Sequence, residues 1–211
     1  MLSGMRMLRA LVAALAALAV AAPAAGAYPQ LPFPFPAVAG NPADSLLQRP
    51  IEPPVYDRAR RCTPRKARPG VVAMTMWLQA NVRGAFWGSY RCERWGEDSA
   101  SLHAENRAID WHLDVATRAD RRTALGLIRL LLAPDALGNP EALARRMGVQ
   151  ELIWDCGYWG AGMQTFRPYG ACYKPDGRPR RRVDRTTAHM DHVHIGMSRD
   201  GAMARTSFWT G

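Results

Sequence analysis

His192-Val193-His194-Ile195-Gly196-Met197 is the stretch that decides the fold. Side chains alternate along a β-strand, so as a strand it sends His192, His194 and Gly196 to one face and Val193, Ile195 and Met197 to the other. One face suits chemistry and the other suits a core. Residues 108–115 repeat the pattern, with Ala108, Asp110, His112 and Asp114 alternating with Ile109, Trp111, Leu113 and Val115. If the two strands share a sheet, Asp110 comes near His194. His103 then enters from the loop before Asp110, and two imidazoles with one carboxylate make a three-ligand metal site with room for a water.

His103 and Asp110 are separated by an odd number of positions, so one strand face cannot carry both. A turn between them is needed, and Asn106 tolerates the left-handed conformation that such a turn requires. His112 lies on the ligand face and is read as a neighbour rather than a ligand. Asp114 and Asp191 are candidates to receive the second N–H of a ligand imidazole.

Outward from these strands the chain alternates between helical and extended patterns. Residues 71–81 read as a helix with Val72, Met76 and Gln79/Ala80 on its apolar face, and residues 85–91 as a strand. A polar loop follows over 92–102, and a strand over 109–115. Residues 119–133 read as a helix whose buried stripe is Ala124, Leu127/Ile128 and Leu131, ended by Pro134. Asn139-Pro140-Glu141 supplies an N-cap, an N1 proline and an acidic first turn for a second helix, with Gly148 as its C′ residue. Residues 149–154 are a strand. Residues 155–188 form a long loop that carries the basic run 178–185 and leads into the histidines, which favours a substrate-facing role. Strands interspersed with helices in this order predict an α+β fold, a small antiparallel sheet with flanking helices.

At the N-terminus, Arg6 and Arg9, the apolar run 10–22 and Ala25-Gly26-Ala27 read as a signal peptide over 1–27, removed before Tyr28. No membrane span is expected after cleavage. Residues 28–70, rich in proline and ending in a basic stretch, read as an arm or linker, and 71–211 as the domain. The chain carries a formal charge of +10, and losing Arg6 and Arg9 leaves it strongly basic. An exported basic protein suits anionic polymers such as cell-wall material. Nucleic acid is not expected, because base-stacking aromatics are not interleaved with the arginines.

Cys62, Cys92, Cys156 and Cys172 are an even set in an exported chain, which favours disulfides over thiol chemistry. Three pairings are open. Cys156 with Cys172 would bracket one loop, and Cys62 with Cys92 would tie the arm to the domain, so these are favoured.

Ser101-Leu102-His103-Ala104-Glu105-Asn106-Arg107-Ala108-Ile109-Asp110 resembles the SxHxxGxAxD motif of zinc peptidases of the D-Ala-D-Ala metallopeptidase, lysostaphin and hedgehog superfamily. His192-Val193-His194 resembles their closing HxH. The wider pattern, SYR at 89–91, LHAENRAIDW at 102–111, ELIWD at 151–155 and HMDHVHIGMS at 189–198, is similar to secreted bacterial and fungal domains of that type and spans residues 71–209. The resemblance implies a hedgehog/DD-peptidase-like fold and a Zn2+ ion held by His103, Asp110 and His194. It also implies a catalytic role for His192, a further active-site role for His189, and an Arg91 that binds a substrate carbonyl or carboxylate. Asn106 stands where the motif has glycine, and His192 where some relatives carry a glutamate base.

The expected function is that of a secreted, monomeric zinc metallopeptidase, a carboxypeptidase or endopeptidase hydrolysing peptide bonds of peptidoglycan. A metal-stabilised cell-wall or polymer binding module without hydrolysis is the alternative from another class. Two histidines and a carboxylate also form the facial triad of non-haem iron oxygenases, but the ligand spacing and an oxidising compartment suit that chemistry poorly.

Overall fold

The computed structural model describes residues 49–210. The signal peptide read at 1–27 lies outside the described residues, as does the arm through residue 48 with Phe33, Phe35, Leu46 and Leu47.

Six antiparallel strands form one sheet in the order β1-β4-β8-β5-β6-β7. They are β1 (Ala85–Gly88), β4 (Ala108–His112), β5 (Val149–Trp154), β6 (Gly157–Gly160), β7 (Arg167–Pro168) and β8 (His192–Met197). A separate hairpin pairs β2 (Arg94–Gly96) with β3 (Ser99–Ala100). The helices are α1 (Pro69–Asn81), α2 (Arg118–Leu132), α3 (Ala142–Met147) and the single turn α4 (Arg199–Ala202), with a 3-10 turn at Leu102–Glu105. The architecture is the expected α+β arrangement of an antiparallel sheet flanked by helices.

Alternation in the central strands divides the sheet into two faces. Ile109, Trp111, Leu152, Val193, Ile195 and Met197 join one apolar core with Val71, Met74, Trp77 and Leu78 of α1, Leu127 and Leu131 of α2, and Leu143 and Met147 of α3. Each fully buried aliphatic side chain there contributes roughly 1.5–3 kcal/mol. The helices therefore cover one face and leave the other, which carries the histidines, for the site.

Several expectations need correction. The buried stripe of α1 runs through Val71, Met74 and Leu78 with Trp77, whereas Val72 and Met76 are 44% and 63% exposed. The stripe through Val72 and Met76 ends at polar Gln79, while the other carries the large indole of Trp77, and the larger apolar area wins the core. The second helix does not start at Asn139-Pro140-Glu141. Asn139 gives both its backbone and side-chain N–H groups to the Asp135 carboxylate, and Glu141 takes a left-handed conformation with φ 56°, so α3 begins at Ala142. Its other end is as expected, with Gly148 at φ 73°. Residues 155–188 are not one long loop, since the short β6 and β7 extend the sheet there. Nor is 92–102 wholly a loop, because it contains the β2–β3 hairpin. Strands β1 and β4 are shorter than expected and end at Gly88 and His112.

Both favoured disulfides are present, Cys62–Cys92 and Cys156–Cys172. No helix of the described residues is long and apolar enough to cross a membrane. Residues 49–68 do not trail away from the domain. Ala59 bridges to Ala100, Asp57 exchanges hydrogen bonds with the Gln150 side chain, and Glu52 accepts from Ser207.

Asp135 anchors the turn before α3. Burial pushes its carboxyl up, but hydrogen bonds from the Asn139 side chain and backbone, with Arg146 beside them, outweigh this and hold it below the usual carboxylate range. A carboxyl depressed by folding contributes stability that is present above its unfolded value of about 4 and is lost as pH falls through the folded one. Both partners are buried, so removing one leaves the other uncompensated. Asp135→Asn is expected to lower the unfolding free energy by about 3 kcal/mol at pH 7, and by less at pH 3. Urea denaturation at the two pH values checks this.

Candidate metal centre

Three elements bring the site together. The β4–β8 register sets Asp110 opposite His194 and His112 opposite His192. His103 comes from the 3-10 turn, where the Ser101 hydroxyl caps the start by accepting from the His103 N–H. Asn106 ends that turn at φ 56°, ψ 41°, the left-handed conformation expected of it, and the chain then enters β4 pointing back towards His103. Gly196 pairs with Ala108, and a side chain at 196 would press on Leu102 and Glu151, whose Cβ lies 2.9 Å from the position a Gly196 Cβ would take.

The three expected ligands converge. His103 Nε2 lies 3.0 Å from Asp110 Oδ1 and 3.1 Å from His194 Nδ1, and His194 Nδ1 lies 3.3 Å from the same Asp110 oxygen. All three residues are buried, and as a group they can hold a metal ion. His194 Nε2 meets Glu151 Oε1 at 3.0 Å, a contact in which the ring donates, so Nδ1 is the atom turned to the centre. The donors fit a divalent transition metal: two imidazole nitrogens and a carboxylate oxygen within one ion's reach, with a second carboxylate orienting a ligand ring.

Electrostatics follow from burial among few charges. Burial raises the Asp110 carboxyl, but the hydrogen bonds of His103 and His194 outweigh it and keep it far below the usual carboxylate range. His103 is lowered, chiefly by burial. His194, also buried, is nevertheless pushed up to about 9 by its bonds to the Asp110 and Glu151 carboxylates. Burial, with the His194 and His192 rings beside it, lowers His189 to about 3, so this imidazole is neutral near pH 7.

His192 is placed differently from His194. Its Nδ1–H donates to Asp191 Oδ1 at 2.7 Å, and its Nε2 is buried without a hydrogen-bond partner among the described residues. That nitrogen faces Asp110 Oδ1 at 3.5 Å. His189 stands beside it, ring centroids 4.7 Å apart, with Nδ1–H donating to the Thr187 carbonyl. Arg91 reaches Asp110 Oδ2 at 3.5 Å and pairs with Glu93 while remaining half-exposed. Asp191 does not receive the N–H of a ligand ring as expected, and accepts instead from His192, which lies outside the converging set. Asp114 receives no imidazole and instead accepts from Arg185 and the Ala116 N–H, because β4 ends before it. His112 stays outside the cluster, stacked on Trp87 at 4.2 Å and donating to the Asp191 carbonyl.

A cleft of about 410 Å³ opens over these groups, lined among others by Arg91, Trp95, Tyr169, His189, His192 and His194. Trp95, on the β2–β3 hairpin, is 65% exposed, and Thr186 and Thr187 bring the end of the 155–188 segment to the rim. Glu151, Trp95 and Tyr169 were not assigned from sequence. A glutamate directly before an apolar run was the available signal for Glu151, but the register shift between Val149 and Glu151 that turns it to the site is invisible in sequence.

Comparison with protein families, characterised proteins and solved structures finds no match.

The two histidines of β8 should differ on substitution. His194→Ala is expected to empty the site of metal, whereas His192→Ala retains about one ion per chain. Metal analysis after dialysis checks this, and equal loss from both variants contradicts the division.

Proposed function

We propose that the chain is a secreted zinc-dependent peptidase that hydrolyses peptide bonds of peptidoglycan, similar to the D-Ala-D-Ala metallopeptidase, lysostaphin and hedgehog superfamily. The observation that carries this reading is the buried, partnerless Nε2 of His192, aimed at the same Asp110 oxygen on which His103 and His194 converge. A binding module needs the three ligands but gains nothing from a desolvated imidazole nitrogen beside them.

His103 Nε2, Asp110 Oδ1 and His194 Nδ1 would hold the ion. Zinc suits two imidazoles and a carboxylate, and when bound it lowers the pKa of a water and polarises a carbonyl. His192 then has its role from geometry. With Nδ1–H committed to Asp191, Nε2 holds the lone pair that accepts a proton from water and returns it to the leaving amine. His189, neutral near pH 7, adds a second nitrogen to the same wall of the cleft. Arg91 offers a permanently charged fork at the cleft mouth, suited to a substrate carboxylate or a developing oxyanion.

The cleft volume falls within the roughly 300–1,000 Å³ of small-ligand sites, enough for a short peptide. Two disulfides suit an oxidising compartment outside the cytosol, and the strongly basic charge that remains without Arg6 and Arg9 suits an anionic wall. The exposed face of Trp95 offers apolar contact to whatever enters.

Incubating muropeptides with the zinc-loaded chain tests the proposal, with products read by mass spectrometry. Cleavage should stop on chelation and return with zinc, and His192→Ala should lower kcat by roughly 10²–10⁴ at unchanged zinc content. Trp95→Ala should raise KM with kcat nearly unchanged. Wall binding without any cleavage would decide for the binding module instead.

A further inference from the structure

The described part of the arm touches both imidazole ligands of the metal centre at one remove. On the His194 side, the Tyr56 hydroxyl donates to Glu151 Oε2, and the other oxygen of that carboxylate accepts from His194 Nε2. The Tyr158 hydroxyl lies near the same carboxylate. Burial, followed by the Glu151 charge, pushes the Tyr56 hydroxyl far up, so it stays protonated and acts as a donor. Burial raises Glu151 itself, but the bonds from His194, Tyr56 and Tyr158 hold it low and therefore charged.

On the His103 side, the arm is bonded to the 3-10 turn. Thr63 N–H donates to the Ala104 carbonyl at 2.8 Å, and Arg60 N–H to Glu105 Oε1 at 2.9 Å. Asn106 extends the contact, its Oδ1 accepting from Lys66 N–H and its Nδ2 donating to Thr63 Oγ1 and the Pro64 carbonyl, each at 3.0 Å. This explains why asparagine stands where the resembling motif has glycine. The left-handed backbone needs only a residue that tolerates it, whereas the carboxamide holds the arm.

We infer that the arm between Glu52 and Lys66 is a built-in part of the metal centre, with Tyr56 and Asn106 as the positioning residues that fix His194 and His103. The inference rests on the metal-centre reading and is independent of whether the site hydrolyses anything. Further clamps keep the arm in place: Glu52 on Ser207, Asp57 on Gln150 and on the Arg199 N–H, and the Cys62–Cys92 disulfide. None of residues 49–68 lines the cleft over the histidines, so this stretch braces the site from outside rather than covering it. Groups that orient metal ligands in this way typically change metal affinity about 10–100-fold when removed.

The test uses the full chain with Tyr56→Phe and Asn106→Gly, both chosen to delete hydrogen bonds while leaving backbone conformation and packing intact. Zinc affinity is measured by competition with a chromophoric chelator, zinc-free melting temperature by calorimetry, and ligand geometry by the visible spectrum of the cobalt-loaded protein. Each variant is expected to bind zinc about tenfold more weakly, with a shifted cobalt spectrum and a zinc-free melting temperature within about 2 °C of the parent. Unchanged affinity in Tyr56→Phe overturns the inference while leaving the metal centre standing. A fall of more than about 4 °C in the zinc-free melting temperature of both variants also overturns it, since the residues would then serve folding alone. A parent chain that binds neither ion overturns the metal-centre reading on which the inference depends.

Discussion

The antiparallel pairing of β4 with β8, in the register that sets Asp110 opposite His194, is the constraint on which the rest depends. A slip by one residue would turn every histidine of β8 into the core and every apolar residue out, because strand side chains alternate. The register is held from the core side, where Ile109, Trp111, Val193 and Ile195 pack beneath the helices. The site therefore draws its geometry from hydrophobic burial on the opposite face. His192 and His194 share a strand face, yet one meets Asp191 and the other Glu151, so their surroundings differ.

Four histidines and two carboxylates packed in and around one buried cluster are costly to desolvate unless each finds a partner. Most do. Asp110 is met by His103, His194 and Arg91, and Glu151 by His194 and Tyr56. Within this cluster His192 Nε2 is the exception, buried without a partner among the described residues. Asp110 and Glu151 flank opposite nitrogens of the His194 ring, so negative charge stands on both sides of that ligand.

Much of this was legible in the chain. Period-two alternation in β4 and β8 was unambiguous, and the odd spacing of His103 and Asp110 demanded the turn that Asn106 closes. The stripe of α2, with Ala124, Leu127, Ile128 and Leu131 buried, was also plain because its repeat is strict. What was not legible depended on competition between local signals and tertiary contacts. The Asn139 cap lost to the three hydrogen bonds this residue makes with the Asp135 carboxylate. The short, glycine-flanked β6 carries no pattern long enough to read as a strand. A proline-rich arm reads as a linker until Tyr56 and Thr63 are seen bonded to the site, since hydrogen bonds between residues 95 and 41 positions apart leave no periodic trace.

X-ray absorption at the zinc edge of the loaded full chain tests the central claim most directly. The account predicts a first shell of nitrogen and oxygen donors at about 2.0–2.2 Å, with two imidazole signatures that disappear together when His103 and His194 are both replaced by alanine. A sulfur shell near ~2.3 Å, or a six-oxygen shell unaffected by those replacements, would contradict it.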